Sequence, residues 1–182
     1  MKRLVIDTET TGLSPRYNKT LTVGLLLIQT NEKQLQILDK GHIFIKHESG
    51  NVNPTALKIN KINIEEHNKI AISPANACNS INTFIGKNNL QTTTLLGHNF
   101  HFDKGFLREL FDQSNCKSEL HTEHLDTMYL WRQLQKERVV PQHLRSNLET
   151  VATYFDIDYT KAHDALADCH ITAEVYHKML KL

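Results

Sequence analysis

Two acidic residues stand one position apart at the end of an apolar run near the start of the chain. The segment Leu4 to Leu13 reads LVIDTETTGL, so Asp7 and Glu9 follow residues typical of a buried strand. Because side chains alternate between the two faces of a strand, these two carboxylates point the same way. Carboxylates that close repel each other and raise each other's pKa. The pair therefore needs a compensating cation or a bound proton.

Two further acids lie on helical faces that otherwise carry apolar residues. In one predicted helix, apolar residues follow Asp103 by three, four and seven positions, which places them on one stripe. Asp168 shares a stripe in the last predicted helix in the same way. Neither stripe contains Lys or Arg. The stripe residues are Phe106, Leu107 and Leu110 with the first acid, and Ala165, Thr172, Val175, Tyr176 and Met179 with the second.

These four carboxylates together predict an oxygen-rich metal site. An ionised acid that faces an apolar interior neutralises, pairs with a base or binds a metal. If the three segments converge, the acids suit hard divalent cations such as Mg²⁺ or Mn²⁺ rather than zinc, and two ions best balance four charges. Taken singly, Asp7 is also explained as a strand-end turn residue, Asp103 as a helix N-cap and Asp168 as a first-turn acid. The candidate ligands are Asp7, Glu9, Asp103 and Asp168.

The first half of the chain is predicted to form strands and then helices. The β-rich segments KRLVID, TLTVGLLLIQ and LQILDKGHIFIKH, with turn signals at 31–32 and 39–41, predict an antiparallel meander. From Asn53 the periodicity becomes helical, in NPTALKINKI and SPANACNSINTFIG. In the second of these segments, Ser73 and Pro74 take the N-cap and first helical positions, and Gly86 follows the last turn.

The second half of the chain is predicted to alternate strands and helices. TTTLLGHN runs into a helix at 100–111, and HLDTMYLWRQL forms a second strand-to-helix join. Ser146 and Glu149 have capping-box spacing before LETVATYF, and HDALADCHITAEVYHKML is the closing helix. The loop at 136–145 is predicted to be the least structured part. This order predicts an α/β fold with a mixed sheet flanked by helices, as a single domain over residues 1–182.

The composition limits the class of protein. The 182 residues are 40% hydrophobic, which fits one domain with a substantial core, and 21 basic against 20 acidic residues give no global field for a polyanion. Cys78, Cys116 and Cys169 are far apart, which argues against a disulfide framework and a zinc site. The chain has no signal-like or membrane-length apolar stretch. We expect a cytoplasmic protein without a membrane partner.

Three motifs give the sequence a resemblance to a known family. VIDTETTGL, GHNFHFDKGFL and HDALADCHITAEVY, with His163 five residues before Asp168, resemble the motifs of the DEDDh 3′-5′ exonucleases. That family includes the proofreading subunit of bacterial replicative DNA polymerase and ribonuclease T. NPTALKINKINIEE and LDTMYLW resemble the family's intervening segments, so the similarity covers nearly the whole chain. The segment at 59–62 departs from the family by lacking a frequent His-Gly pair.

The resemblance implies a ribonuclease H-like fold and a metal-dependent hydrolysis. The reaction would release nucleoside monophosphates from single-stranded or frayed 3′ ends of DNA, with two Mg²⁺ ions that Mn²⁺ replaces. Asp7 would bridge both ions, and Glu9 and Asp168 would complete the site of the ion that activates water. Asp103 would reach the other ion, partly through water. His163 would be the general base, because a neutral imidazole accepts a proton near pH 7.

Residues next to these motifs are predicted to contact substrate. Thr10, Gly12 and Leu13 would frame the terminal nucleotide, the glycine by close approach of its backbone and the leucine by wedging against the base. Asn99 and Phe102 flank Asp103 in the second motif and are assigned the same role.

Other polar residues near the motifs have ordinary structural interpretations. His98 is interpreted as structural and Asp126 as a helix N-cap, with a role behind the ligands left open. The loop at 136–145 is either solvated or a phosphate-binding segment, because it carries Lys136, Arg138, His143 and Arg145.

The sequence leaves alternatives open for the substrate and for the partner. An RNA-trimming 3′-5′ exonuclease fits the same motifs, because no contact to a 2′-hydroxyl can be placed from one chain. A nucleic-acid-binding module without activity is the alternative from another class, which the intact set of acids disfavours. Single-stranded 3′ ends are the expected partner, and the motifs are compatible with action alone or with a DNA polymerase.

Overall fold

A mixed five-stranded sheet lies at the centre of the computed structural model, which describes residues 1–48 and 50–182. The sheet has the order β3-β2-β1-β4-β5. Both β1–β2 and β2–β3 are antiparallel, whereas β4 is parallel to β1 and to β5. The strands are β1 (Lys2–Thr10), β2 (Thr20–Thr30), β3 (Leu35–Phe44), β4 (Leu95–Gly97) and β5 (His124–Asp126).

Helices cover both faces of this sheet. Among them, α3 and α4 pack on one face, and α7 packs on the other, where α5 and α6 join it. Within the described residues, no helix combines the length and the apolar character needed to cross a bilayer. The helices are α1 (Pro54–Asn60), α2 (Ile64–Ile70), α3 (Pro74–Lys87), α4 (Phe100–Gln113), α5 (Thr127–Lys136), α6 (Leu148–Tyr154) and α7 (Ala165–Met179).

The alternation of side chains along β1 connects the two layers. Leu4 and Ile6 are buried in the core cluster that contains residues of α3 and α4, whereas Val5 is buried in the cluster that contains residues of α7. Asp7 and Glu9 continue the row of Val5, and Thr8 continues the row of Ile6. The predicted fold class, a mixed sheet flanked by helices with an antiparallel meander first, is confirmed.

Three local predictions about element boundaries are wrong. The segment 39–41 lies inside β3, because its pairing with residues 25–27 of β2 outweighs the turn tendency of Asp39 and Gly41. Gly86 lies inside α3, where a Cβ would meet nothing within 4 Å, so the helix simply tolerates it. Asn147, not Ser146, precedes α6, and its side chain makes no cap bond; the carbonyl of Ser146 instead lies 2.9 Å from His98 Nε2.

Other boundaries agree with the sequence or have clear local causes. The Ser73 side chain accepts a hydrogen bond from the Asn76 amide, as predicted for the N-cap of α3. The predicted helix at 54–62 ends at Asn60, because Lys61 adopts the left-handed conformation (φ 57°). The short α2 that follows was not predicted, although its N-cap Asn63 accepts bonds from two backbone amides. Lys136 still belongs to α5, and residues 137–145 of the predicted loop contain turns and bends.

Candidate active site

The end of β1 places Asp7 and Glu9 on the sheet face that α7 covers. Asp7 pairs with Gly24 of β2 and Glu9 pairs with Thr22. Both acids are half-buried, so each is partly removed from the water that would solvate its charge. The carboxylates of Asp7 and Glu9 lie within 4.8 Å of each other, so the common orientation predicted from strand alternation is present.

The first turn of α7 brings a third acid to this pair. One carboxylate oxygen from each of Asp7, Glu9 and Asp168 lies within 4.8 Å of the others. The Asp168 carboxylate is 8% exposed; its Oδ2 accepts a bond from the His163 backbone amide at 3.2 Å, and its Oδ1 has no hydrogen-bond partner among the described residues. A buried carboxylate oxygen without a donor, surrounded by other carboxylates, fits a hard divalent cation.

Gly24 permits the close approach of α7, and the sequence reasoning did not identify this role. A Cβ at this position would lie 2.3 Å from the backbone oxygen of Ala165, the first residue of α7. Gly24 pairs with Asp7 across the β1–β2 ladder, so the helix start contacts the sheet directly beside the acid. A glycine opposite an acidic strand residue was the available signal, but only packing reveals its reason.

Asp103 reaches the site from the opposite layer of the sheet. It lies in the first turn of α4 and is 3% exposed, and its Oδ1 accepts bonds from the Thr8 backbone amide at 2.9 Å and the Thr8 hydroxyl at 2.7 Å. Its carboxylate is not in the close group formed by Asp7, Glu9 and Asp168. The four predicted ligands therefore divide into three acids in close proximity and one on the other side of β1, held by Thr8.

Burial raises the pKa of every acid in the site, and the charges of nearby acids raise it further. Burial, followed by the charges of Asp103, Asp168 and Glu9, raises the pKa of Asp7 well above its usual value. Burial is also the largest cause for the other three, raising the pKa of Glu9 to about 8, of Asp103 to about 7 and of Asp168 to about 6. Bound divalent cations would favour the ionised forms of these groups.

His163 lies at the rim of this acid cluster. The residue is exposed and adopts a left-handed backbone conformation (φ 69°), with its ring centroid 6.1 Å from that of Tyr159 in an edge-on arrangement. Its backbone amide bonds Asp168, and its charge lowers the pKa of that acid. The His163 backbone is therefore bonded to the cluster, and its side chain is accessible to solvent, as a base that exchanges protons with water must be.

The segment after Glu9 forms a tightly bonded loop. The Thr10 hydroxyl donates to the Gly12 carbonyl at 2.6 Å, and Leu13 is 79% exposed. A Cβ on Gly12 would lie 2.5 Å from the Asn18 side chain, so Asn18 fills the space beside this glycine. The Asn18 amide also donates to the backbone carbonyls of Thr11 and Asn51. Asn18 is a loop-organising residue that the sequence reasoning missed.

Asn60 is a second polar residue that the sequence reasoning did not select. It is buried at the end of α1, and its amide donates to the Thr10 carbonyl at 3.1 Å. Its side chain also lowers the pKa of Glu9 by hydrogen bonding. Asn60 lies in the segment where the family's frequent His-Gly pair is lacking, which was the available signal. It connects α1 to both the loop and the acid.

The second motif begins with an unusual backbone conformation. Asn99 is exposed and left-handed (φ 58°, ψ 41°), and Phe102 is half-buried with its ring centroid 4.8 Å from that of Phe106. His98 bonds Thr127 and Ser146, which confirms its structural interpretation. The Asp126 side chain accepts a bond from the Met128 amide, which confirms it as the N-cap of α5.

Sequence comparison places the chain in one family, through a match that leaves out only a few residues at each end. The family model described as exonuclease (RNase_T) matches residues 4–176. DNA polymerase III PolC-type from Thermotoga petrophila is 28% identical over 180 residues, which are 98% of this chain and 12% of that protein. Ribonuclease T from Wigglesworthia glossinidia brevipalpis is 29% identical over 181 residues, which are 95% of this chain and 81% of that protein.

Structural comparison gives the same fold. Exonuclease I of E. coli, solved in complex with a dT13 oligonucleotide, matches with a TM-score of 0.81 and 20% sequence identity. The match covers 97% of this chain and 40% of exonuclease I. The chain thus spans less than half of exonuclease I. It spans 12% of the length of the PolC-type relative.

Proposed function

The chain belongs to the exonuclease family, as its motifs predicted, and we propose that it is a metal-dependent 3′-5′ exonuclease acting on single-stranded or frayed 3′ ends of DNA. The proposed domain covers residues 1–182. The observation that carries the proposal is the group formed by Asp7, Glu9 and Asp168, in which the buried Asp168 Oδ1 has no hydrogen-bond partner among the described residues.

Oxygen ligands of this kind favour Mg²⁺, with Mn²⁺ as a substitute. Asp7, Glu9 and Asp168 would hold one ion, and Asp7 with the remaining oxygen of Asp103 would hold a second. Such ions supply a lowered pKa for attacking water and charge stabilisation for the departing 3′ oxygen. The donor set contains only carboxylates, which fits these ions better than zinc.

His163 supplies the proton acceptor in this proposal. An imidazole nitrogen takes the proton of water while the water oxygen forms a bond to phosphorus. The bond between phosphorus and the 3′ oxygen of the preceding nucleotide then breaks, which releases a nucleoside 5′-monophosphate. The exposed side chain of His163, next to a backbone amide that bonds Asp168, supports this role.

Contacts around the cluster support a single-stranded substrate. Leu13 is exposed at the tip of the loop that Asn18 orders, and it would wedge against the terminal base. Thr10 and Gly12 carry this loop, and Asn99 and Phe102 would contact the same nucleotide from the start of α4. A terminal nucleotide that must leave its stack at a cost of about a few kcal/mol favours an unpaired 3′ end.

RNA is the second candidate substrate. The relative named ribonuclease T is covered over 81% of its length, whereas the PolC-type relative is covered over 12%. The PolC-type relatives in turn support a DNA polymerase as the partner class to test. The DNA proposal and the RNA proposal both place the reaction at the cluster of Asp7, Glu9, Asp103 and Asp168.

The test uses 5′-labelled oligonucleotides of one sequence, as DNA and as RNA, with single-stranded, mismatched and fully paired 3′ ends. We expect Mg²⁺-dependent shortening from the 3′ end, fastest for single-stranded DNA, intermediate for mismatched ends and slowest for duplex. Asp168→Asn is the control, and it should abolish the shortening. Faster degradation of blunt duplex than of single strands, or activity that persists in this variant, would refute the proposal.

A further inference from the structure

One carboxylate caps two helices at the edge of the site. Asp126 lies where β5 ends and α5 begins, and its Oδ1 accepts bonds from the backbone amides of Asn99 and Met128, both at 2.9 Å. Its Oδ2 accepts a bond from the Phe100 amide, also at 2.9 Å. Two of these three donors belong to the start of α4 and only one to α5. The carboxylate therefore connects two strand-to-helix joins that are separated by more than twenty residues in sequence.

The neighbouring Thr127 continues this connection. Thr127 is fully buried, and its hydroxyl lies 3.1 Å from the Gly97 carbonyl and 2.9 Å from His98 Nδ1. Burial lowers the pKa of His98 to about 4, so the ring is neutral near pH 7. Its Nε2 then donates to the Ser146 carbonyl, which leaves Nδ1 as a second acceptor, besides the Gly97 carbonyl, for the single hydroxyl proton of Thr127. Residues 97–100 thus each have a polar atom within hydrogen-bonding distance of Asp126 or Thr127, at the join of β5 and α5.

These bonds fix a backbone conformation that would otherwise be unfavourable. Asn99 is a left-handed residue other than glycine, and its own side chain makes no cap bond to α4. The amides of Asn99 and Phe100 lie at the helix N-terminus, where no intrahelical acceptor exists. The Asp126 carboxylate supplies that acceptor, so the exposed side chain of Asn99 is not needed as the cap and can contact another molecule. The direction in which α4 leaves the sheet depends on this turn.

The direction of α4 in turn determines the position of Asp103. This acid lies three residues after Phe100 in the same first turn, and its Oδ1 is held by Thr8 of β1. If Asn99 left the left-handed conformation, the start of α4 would shift and carry the Asp103 carboxylate with it. Shifts of about 1 Å near a reacting centre reduce rates by roughly 100-fold.

We propose that Asp126 is a positioning residue for the exonuclease site, which acts through Asn99 and the first turn of α4 to place Asp103. The inference rests on the proposed function for its kinetic consequences. In this proposal both carboxylate oxygens of Asp126 are used to hold backbone amides, and Asp126 acts through the residues that carry them. The bond that Asp126 accepts from the Met128 amide stabilises the start of α5, which is a separate contribution to the stability of the protein.

The test separates these two contributions by substitution. Asp126→Ser retains an N-cap hydroxyl for α5 but lacks a second oxygen for α4. Asp126→Asn retains one carbonyl oxygen, so its effect should be intermediate. Asn31→Ala is the matched control, because the Asn31 side chain also accepts two backbone amides, in the turn after β2 at the opposite end of the sheet. Backbone amide exchange, Mn²⁺ binding by calorimetry and single-strand degradation are measured for all variants.

We expect Asp126→Ser to speed exchange of the Asn99 and Phe100 amides while the α5 amides stay protected. Its half-saturating Mn²⁺ concentration should rise, and its turnover number should fall, each by roughly 10- to 100-fold. Asn31→Ala should lose about as much thermal stability as Asp126→Ser. Its half-saturating Mn²⁺ concentration and its turnover number should both stay at the wild-type value. Mn²⁺ binding and turnover of Asp126→Ser within twofold of wild type would overturn the proposal. If Asp126→Ser does not fold, the same result for Asp126→Asn overturns it.

Failure of the proposed function gives a different result. If the wild-type protein shortens no oligonucleotide, the exonuclease activity is wrong, and Asp126 is judged by amide exchange and Mn²⁺ affinity alone. An unchanged Mn²⁺ affinity in Asp126→Ser, with faster exchange at Asn99 and Phe100, would then contradict the positioning role.

Discussion

The Asp7 carboxylate is stabilising only when a cation is present. Without metal, burial and the charges of four neighbouring acids raise its pKa well above the usual value. Asp7→Asn keeps the side-chain volume and removes a charge, so we expect the metal-free melting temperature to stay level or rise. Nucleotide release should fall by roughly 1,000-fold, since several kcal/mol of charge stabilisation are lost. Thermal denaturation in chelator and single-turnover assays in Mg²⁺ check this pair of results, and release within a few fold of wild type would contradict it.

The His163 imidazole is predicted to move a proton without holding the metal. His163→Ala should bind Mn²⁺ about as well as wild type, because the acids of the cluster remain. Its turnover should fall by roughly 100- to 10,000-fold, the usual contribution of a positioned acid or base. Mn²⁺ affinity measured by calorimetry, and single-turnover rates measured from pH 5.5 to 9, distinguish His163→Ala from Asp168→Asn. The Asp168→Asn substitution should weaken metal binding itself. If His163→Ala retains nearly full rate, another group is the base.

At the level of elements, the contact between β2 and α7 brings the acids together. Gly24→Ala places a Cβ 2.3 Å from the Ala165 carbonyl, so the start of α7 must shift and carry Asp168 away from Asp7. We expect a loss of about 1 to 3 kcal/mol in stability and weaker Mn²⁺ binding. Gly86→Ala is the control, because its Cβ meets nothing within 4 Å, and it should stabilise α3 by about 1 kcal/mol without changing Mn²⁺ affinity. Denaturant titration with calorimetry measures both, and equal Mn²⁺ affinity in the two variants would argue against the role of Gly24.

The strands and helices also show which features of the site were predictable from the sequence alone. Strand alternation and helical stripes depend on local spacing, and these patterns predicted the orientation of Asp7 and Glu9 and the helices that carry Asp103 and Asp168. The arrival of Asp103 from the opposite layer, held by Thr8, was not predictable, because it depends on how α4 packs across the sheet. Turn tendencies failed where longer-range pairing was stronger, as at 39–41 inside β3.

At the level of the whole molecule, the acid cluster makes metal-free stability depend on pH. The pKa of Glu9 is raised from an ordinary 4.5 to about 8, so near neutral pH the folded protein binds a proton that the unfolded chain has released. Stability is therefore lost as pH rises through the folded pKa, by about 1 to 2 kcal/mol between pH 6.5 and 8. Histidines with lowered pKa, such as His98, act in the opposite direction but mainly below pH 6.5.

Melting temperatures in chelator at pH 6.5, 7.25 and 8 measure this slope. Glu9→Gln should flatten it, since the titrating carboxyl is removed. Saturating Mg²⁺ should remove or reverse it, because the ion favours the ionised cluster. A metal-free melting temperature that rises over this range in wild type would contradict the assignment.

The central claim is that the acids at the end of β1 and the start of α7 form one metal site, and Mn²⁺ calorimetry of wild type against Asp168→Asn tests it most directly. At pH 7.25, in two buffers with different ionisation enthalpies, wild type should bind Mn²⁺ with release of protons, because the raised pKa of Glu9 leaves that group partly protonated. Asp168→Asn should bind at least about 10-fold more weakly. Equal affinity in the two proteins, or wild-type binding without proton release, would contradict the account.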